Sequence, residues 1–399
     1  MSKSKPSVRL TPLAGLGLAL ALACLALACQ PSADVAEEPA TPDLLAELGE
    51  GWNAIVPGGE TTCSDGSEYR FFARKGDPEK LLFYLQGGGG CWTAGTCDRE
   101  GQPTYTTTAP PELRSPAGSD PEEGAMHGIM AFAHPDNPFA DYSAVFVPYC
   151  TGDVHIGNRT GTYTVAAADE APEREVTVEH KGFVNGQAAL RWTYEAFSAP
   201  ETVFVTGSSA GAIPSPVYAR LLKDHYAGSR VVQLGDGAGG YRNIAENRPH
   251  EAWGTLAALS DFPEIAALST EDFNFESLYT TSGAAEPEVV FSRYDTAEDS
   301  VQIQFLKIGS PEVEELQPLL DANEADIDAA LATNYFSYVA PGTVHTILLR
   351  PEFYTYSVDG TDFRDWIAAL AAGEPVTDVH CGECDGSPVP EAGGATAGG

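Results

Sequence analysis

The chain has little positive charge. Its 399 residues include 22 lysines and arginines against 57 aspartates and glutamates, which gives a formal net charge of −35. A surface of this sign repels phosphate backbones and anionic lipid headgroups, so the composition argues against nucleic acid as a partner. The acidic residues are dispersed along the chain, which is typical of a solvated surface. The charge alone does not identify a substrate.

Long apolar runs are also scarce, and the main one lies near the N-terminus. Three basic residues followed by an almost wholly apolar stretch predict an export signal over residues 1–28. Ala-Leu-Ala before Cys29, with a polar stretch after it, indicates a lipoprotein signal in which Cys29 is lipidated. Cys24 has similar neighbours, but further apolar residues follow it. We therefore expect an exported protein held by lipid at a bacterial membrane, with Gln30 favouring the outer one; secretion is the alternative.

The remaining chain divides into three parts. Residues 29–47 are rich in Ala, Glu and Pro near their start and predict a flexible tether. Residues 48–384 predict one domain, and residues 385–399, mostly Gly, Ala and Pro, predict a disordered tail. Six cysteines lie beyond the export signal and Cys29, and an even number in an exported chain predicts a set of disulfides.

Short apolar runs alternate with helical patterns through the predicted domain. This alternation predicts an α/β fold with a mostly parallel sheet covered by helices on both faces. The predicted strands are Tyr69–Arg74, Leu81–Gln86, Ala144–Pro148, Thr202–Thr206, Val231–Leu234, Val289–Ser292 and Val344–Leu349. The predicted helices are Gly186–Phe197, Val217–Tyr226, Pro311–Ala322, Glu324–Thr333 and Phe363–Ala372.

A possible nucleophile follows the fourth of these strands. Residues 207–211 read Gly-Ser-Ser-Ala-Gly and lie between the strand and a helical pattern. In this context G-x-S-x-G lifts the central hydroxyl, here that of Ser209, clear of the sheet. A structural Gly-Ser turn is the alternative. Pro214 and Pro216 predict an irregular first turn before the regular helix begins.

Four consecutive glycines, residues 87–90, follow the strand that ends near Gln86. Such a loop exposes backbone N–H groups that, together with the amide after the nucleophile, can hold a tetrahedral oxyanion. A phosphate loop is the competing function, but no Gly-Lys-Ser/Thr follows. A purely structural turn stays open.

A seryl hydroxyl needs an imidazole as base and a carboxylate to orient it. His345 is the best placed histidine, because His225 and His250 follow the serine too soon and His380 abuts the tail; a structural histidine is the alternative. Asp295 follows a predicted strand and is the favoured acid. Asp236 is the rival, and Asp299 lies four residues beyond Asp295 as its potential helical neighbour.

These residues together resemble the family of pectin acetylesterases and the related Notum carboxylesterases. The resemblance rests on Leu-Gln-Gly-Gly-Gly-Gly-Cys-Trp at 85–92, Val-Pro-Tyr-Cys-Thr-Gly-Asp at 147–153 and Gly-Ser-Ser-Ala-Gly at 207–211. Tyr294-Asp295, Asp299, Gln302 and Val344-His345 continue it in order, and it spans about Gly51 to Cys384.

The resemblance implies an α/β-hydrolase-like serine carboxylesterase that works through an acyl-enzyme and needs no metal or cofactor. Its implied catalytic residues are Ser209, Asp295 and His345, and its implied oxyanion amides are those of Gly88, Gly89 and Ala210. It also pairs Cys63 with Cys150 and Cys91 with Cys97. The implied substrate is an ester, with an acylated polysaccharide of pectin type as the first candidate, and we expect a monomer that contacts membrane only through its lipid. The alternative is a surface lipoprotein that binds a glycan or other ligand on a non-catalytic hydrolase scaffold.

Two other groups of residues remain. Cys381-Gly-Glu-Cys384 beside His380 lacks a fourth ligand for zinc and a thioredoxin-like context, so a local structural disulfide is favoured. Asp153, His155 and the segment around His180 are predicted to line or support the site, and simple loop support is the equal alternative.

Overall fold

The computed structural model describes residues 43–113, 126–167, 172–242, 248–331, 333–382 and 384. The predicted export signal, Cys29 and the tail from residue 385 lie outside this range. The end of the predicted tether is corrected: Leu44–Glu47 form a one-turn helix, α1, capped by the Asp43 side chain. Leu45 of this helix is buried in the core, which binds the segment to the domain.

The described elements alternate along the chain as predicted for an α/β domain. The strands are β1 Trp52–Ile55, β2 Phe71–Arg74, β3 Asp77–Leu85, β4 Tyr142–Val147, β5 Arg159–Val165, β6 Arg174–His180, β7 Thr202–Ser208, β8 Arg230–Asp236, β9 Phe291–Thr296, β10 Tyr335–Ala340, β11 Ser357–Val358, β12 Thr361–Asp362 and β13 Val379–His380. The helices after α1 are α2 Ala94–Cys97, α3 Gly182–Ala196, α4 Ser215–His225, α5 Pro249–Trp253, α6 Thr255–Ala258, α7 Pro263–Ala266, α8 Glu276–Ala285, α9 Ser300–Gly309, α10 Gln317–Leu331 and α11 Phe363–Ala372.

Nine strands form the central sheet in the order β1-β2-β4-β3-β7-β8-β9-β10-β13. All neighbours from β4 to β13 pair in parallel, whereas β1 with β2 and β2 with β4 pair antiparallel. Every residue of β4, β7 and β9 is buried, as expected for parallel strands covered on both faces. The predicted fold class is confirmed.

Alternate side chains of each strand pack on opposite faces of the sheet. On β3, Leu81 and Phe83 belong to one hydrophobic core together with residues of α3 and α4. Leu82 and Tyr84 belong to the other core, which includes five residues of α11. Because the strands from β4 to β13 are parallel, their carboxyl ends lie at one edge of the sheet. Side chains from distant segments can be brought together at this edge.

Three predicted elements are corrected. Val344–Leu349 is not a strand. The strand is the preceding β10, which ends at Ala340, and the run that follows is apolar because Ile347 and Leu348 are buried within a loop. The two helices predicted from 311 to 333 are one helix, α10. Helix α9 was not predicted. No described helix has the length and hydropathy needed to cross a bilayer.

Candidate active site

Ser209 lies at a sharp turn between β7 and α4. Its φ angle is +55°, in the left-handed region that a residue with a side chain rarely adopts. A single 3-10 turn, Ser209–Gly211, follows, and α4 begins only at Ser215 with Pro216 in its first turn, so the predicted irregular start is confirmed. A Cβ atom at Gly211 would collide with the carbonyl of Leu85, so strand and turn can approach this closely only with glycine there.

The glycine loop lies beside this turn because β3 and β7 are neighbours in the sheet. A Cβ atom at Gly87 would lie 2.9 Å from Cβ of Ser209. The loop is held from its other side by bonds from Thr106 N to Gly88 O at 2.8 Å and from Gly90 N to Thr104 O at 3.2 Å.

The glycine loop contains two of the three amides predicted to hold an oxyanion, and Ala210 supplies the third. Among the described residues, the N–H groups of Gly88 and Gly89 have no hydrogen-bond acceptor, and the Ala210 amide lies in the 3-10 turn directly after Ser209. Gly88 and Gly89 both have positive φ angles, which only glycine adopts readily. The loop therefore presents free donors next to the serine hydroxyl.

Buried polar side chains hold the segments next to the glycine loop. His155 Nε2 donates to Gln86 O at 2.8 Å, and burial lowers the pKa of His155 to about 4, so this imidazole is neutral. Asp153 accepts from Gly182 N at the start of α3 at 2.7 Å. His180 donates through Nδ1 to Thr151 O at 2.9 Å. Asp153, His155 and His180 thus fix loops, and the cavity described below contains none of them.

The structure contains the three disulfides that the sequence predicts: Cys63–Cys150, Cys91–Cys97 and Cys381–Cys384. The first two brace the segments around the glycine loop. Cys91 and Cys97 approach His180 closely enough for a metal site, but both sulfurs are consumed by their disulfide. Disulfides of this kind indicate an exported protein.

His345 lies on the loop that follows β10. Its Nδ1–H donates to Oδ2 of Asp299 at 2.7 Å. Its Nε2 atom is buried and has no hydrogen-bond partner among the described residues. One ring nitrogen is thus fixed by a carboxylate, and the other is left to exchange a proton.

Asp299 is completely buried and uses its two oxygens differently. Oδ1 caps helix α9 by accepting from Val301 N at 2.9 Å and Gln302 N at 3.1 Å. Oδ2 accepts from His345 and from Gln302 Nε2 at 3.1 Å. The helix terminus therefore fixes the carboxylate that holds the imidazole.

The predicted pairing of Asp295 with His345 is corrected, because the imidazole bonds to Asp299. Asp295 lies on β9, one step further from the imidazole, and accepts from Gly239 N at 2.8 Å and Gln302 Nε2 at 2.9 Å. Burial raises the pKa of Asp295 to about 6. The missed signal was local: Asp299-Ser-Val-Gln302 has the spacing of a helix-capping sequence, which marks Asp299 as the first residue before an unrecognised helix.

Asp236, the rival acid, has a different place. Its carboxylate accepts from Ser208 Oγ at 2.6 Å and from the amides of Ile347 and Leu348 at 3.0 and 3.1 Å. It thereby ties the residue before Ser209 to the loop that carries His345. Burial raises the pKa of Asp236 to about 6.

A small cavity of about 40 Å³ opens beside Ser209. Its wall is mainly apolar, with five aromatic residues and no charged side chain among the twelve lining residues. These are Gly89, Gly90, Trp92, Val154, Ser209, Ala210, Ile213, Tyr241, Pro249, Trp253, Phe275 and Phe305. The Trp253 indole donates to Cys91 O at 2.6 Å, which fixes this part of the wall to the end of the glycine loop.

The sheet topology and the elbow between β7 and α4 define an α/β-hydrolase-like protein. The chain belongs to the pectinacetylesterase family, whose sequence profile matches residues 55–294, more than half of the chain. It is similar to Pectin acetylesterase 4 of Arabidopsis thaliana, with 22% identity over 289 residues that cover 67% of this chain and 64% of the relative. The chain thus spans just under two thirds of that relative's length. The matched region includes Ser209 and the glycine loop and ends before Asp299 and His345.

Proposed function

We propose that this protein is a serine-dependent carboxylic ester hydrolase that works through an acyl-enzyme. The proposal rests mainly on the imidazole of His345. Its Nδ1 atom donates to the buried carboxylate of Asp299, and its Nε2 atom has no hydrogen-bond partner among the described residues. The strained serine, the unbonded amides and the membership in the pectinacetylesterase family support the same reaction.

In the acylation step, Nε2 of His345 takes the proton of Ser209 Oγ, which attacks the carbonyl carbon of the ester. The negative charge that develops on the carbonyl oxygen is held by backbone N–H groups. Those donors are the amides of Gly88, Gly89 and Ala210. The C–O bond then breaks, and Nε2–H protonates the departing alcohol. Asp299 keeps the proton on Nδ1 and stabilises the imidazolium between these two events.

Deacylation repeats the sequence with water. His345 deprotonates the water, which attacks the acyl carbonyl, and the same amides hold the second oxyanion. Collapse of this intermediate returns the proton to Ser209 Oγ and releases the acid. Ser209, His345, Asp299 and the three amides supply the groups that both half-reactions need.

The cavity beside Ser209 supports a short acyl group. Its volume is only about 40 Å³, and apart from Ser209 its wall is lined mainly by apolar and aromatic side chains. An acetyl ester fits this description better than a long acyl chain. Together with the family membership, this supports O-deacetylation of a polysaccharide, with acetylated pectin as the first substrate to test.

The experiment that tests the proposal compares wild type with Ser209→Ala. We expect the variant to remain folded by circular dichroism, to lose hydrolysis of 4-nitrophenyl acetate by a factor of about 10⁴ or more, and to lose labelling by a fluorophosphonate. Ser208→Ala, which removes the adjacent hydroxyl, should still be labelled. An unlabelled wild type that binds glycans would replace the esterase with the alternative of a non-catalytic surface scaffold.

Substrate range is measured separately with esters from acetyl to palmitoyl on the same leaving group, followed by acetylated pectin and xylan. We expect the specific rate kcat/KM to fall steeply beyond the shortest acyl groups. A maximum at long chains would contradict the assignment of the cavity as the acyl site, without touching the serine mechanism.

We further propose that the protein acts as a monomer on a lipid anchor at Cys29. The sequence before Cys29 supports the lipid anchor, since it has the order of a lipoprotein signal. Mass spectrometry of the N-terminal peptide from membranes should show diacylglycerol on Cys29, and Cys29→Ser should release the protein from the membrane fraction. An unmodified, soluble wild type would favour simple secretion.

A further inference from the structure

Behind the pair of His345 and Asp299 lies a second buried carboxylate that the proposed reaction does not use. Asp295 and Asp299 are both completely buried, and the side chain of Gln302 connects them. Nε2 of Gln302 donates to Asp295 Oδ1 at 2.9 Å and to Asp299 Oδ2 at 3.1 Å. An amide nitrogen has two hydrogens, so both bonds can be made at once.

The orientation of this amide is fixed from its other end. Gln302 Oε1 accepts from Gly240 N at 2.9 Å, so its NH₂ group must face the two carboxylates. A flipped amide would place its oxygen against both Asp295 and Asp299 and would leave the Gly240 amide without its acceptor. The side chain is fully buried, where such losses are costly.

Asp295 is in turn held by its surroundings. Gly239 N donates to it at 2.8 Å, and Arg293 Nε lies 3.6 Å from its Oδ2 atom. Arg293 is buried and is itself held by Leu320 O at 2.8 Å and by Glu324 at 3.1 Å, both on α10. The carboxylate of Asp295 is thus held beside Gln302 by a backbone donor and a buried guanidinium.

We propose that Asp295 is a positioning residue for the ester hydrolysis: it fixes the amide of Gln302, which fixes Oδ2 of Asp299 against the imidazole of His345. This inference rests on the proposed function, since it assigns a role in that reaction. Asp295 does not touch the reacting atoms. Its removal leaves one Gln302 hydrogen without an acceptor and lets the amide drift from Asp299, so the imidazole is held less well.

The test measures kcat and KM on 4-nitrophenyl acetate, with rates divided by the concentration of sites titrated with a fluorophosphonate. We expect Asp295→Ala to lower kcat about tenfold with an unchanged KM. Asp295→Asn should retain at least half of the wild-type kcat, because its side-chain oxygen still accepts from Gly239 and Gln302. A purely structural role would reduce the titrated fraction and leave the rate per site unaltered.

Two further variants separate this link from its neighbourhood. Gln302→Leu, which removes the amide at similar volume, should cost as much as Asp295→Ala, and the double variant should cost no more than either alone. Asp321→Asn, which changes an exposed carboxylate on the same helix α10, should keep the wild-type kcat per site.

The outcomes are distinguishable. Wild-type kcat per titrated site in Asp295→Ala overturns the inference, and so do additive losses in the double variant. If Asp295→Ala does not fold, Gln302→Leu decides, since an unchanged kcat in that variant contradicts the link. A wild type that neither hydrolyses esters nor takes the label refutes the proposed function instead.

Discussion

The two halves of the candidate site are held by different forces. On the nucleophile side, two disulfides and close backbone contacts at glycine fix Ser209 and the loop of residues 87–90. On the acid–base side, buried carboxylates hold the parts together by accepting hydrogen bonds; they are Asp236, Asp295 and Asp299. Geometry set by covalent bonds and sterics should respond to added atoms, whereas geometry set by carboxylates should respond to lost charge and to pH.

The largest expected effect separates the two carboxylates nearest to His345. Asp299→Asn should lower kcat by about 10³- to 10⁴-fold, because an amide in place of Oδ2 favours the wrong imidazole tautomer. Asp295→Asn should lower kcat no more than twofold. Steady-state kinetics on 4-nitrophenyl acetate checks both. A greater loss in Asp295→Asn than in Asp299→Asn would show that the acid of the triad has been misassigned.

The next effect tests the nucleophile side with one added methyl group. Gly89 has a φ angle of +77°, and a Cβ atom there would collide with the carbonyl of Thr104. Gly89→Ala should therefore displace the amides proposed to hold the oxyanion and lower kcat about 100-fold, with labelling of Ser209 slowed in parallel. Gly95→Ala, where a Cβ atom meets nothing within 4 Å, is the matched control. Equal activity of both variants would mean that the loop does not hold the oxyanion.

The smallest effect concerns the carboxylate that joins the two sides. Burial raises the pKa of Asp236 to about 6, above its value in the unfolded chain, so its contribution to stability is complete below pH 4 and is lost as pH rises through 6. Between pH 4.5 and 7.5 the loss is about 2 kcal/mol. Urea unfolding at both values should show Asp236→Asn gaining by that amount relative to wild type.

The exposed Asp136→Asn serves as the control for this titration. Its unfolding free energy should follow that of wild type across the same pH range. A difference between wild type and Asp236→Asn that stays constant with pH would contradict the assignment of a buried, titrating carboxyl to this junction.

The nucleophile side could be predicted from the sequence because its information is local. A turn that lifts Ser209 from the sheet and a loop with bare amides each require particular residues within five positions, and the glycines stand where the sterics need them. Most strands of the sheet were found for a similar reason, since buried parallel strands are short apolar runs.

The acid–base side could be predicted only in part, because its information is distributed. His345 and Asp299 are 46 residues apart, and no short pattern states which of three nearby aspartates faces the imidazole. The run 344–349 is apolar because it is a buried loop, and its pattern was therefore interpreted as a strand. As a result, the true strand just before it, β10, was not predicted. The capping sequence at Asp299 was the one local clue.

The left-handed backbone at Ser209 has an energetic cost that bears on the function of the domain. A side chain in that conformation costs about 1–2 kcal/mol that glycine would not incur. A domain that only had to bind glycans would be more stable with Gly at position 209, and would lose nothing by the exchange. Keeping a hydroxyl at this strained position is what the proposed nucleophile requires, because glycine has no side chain that could attack an ester.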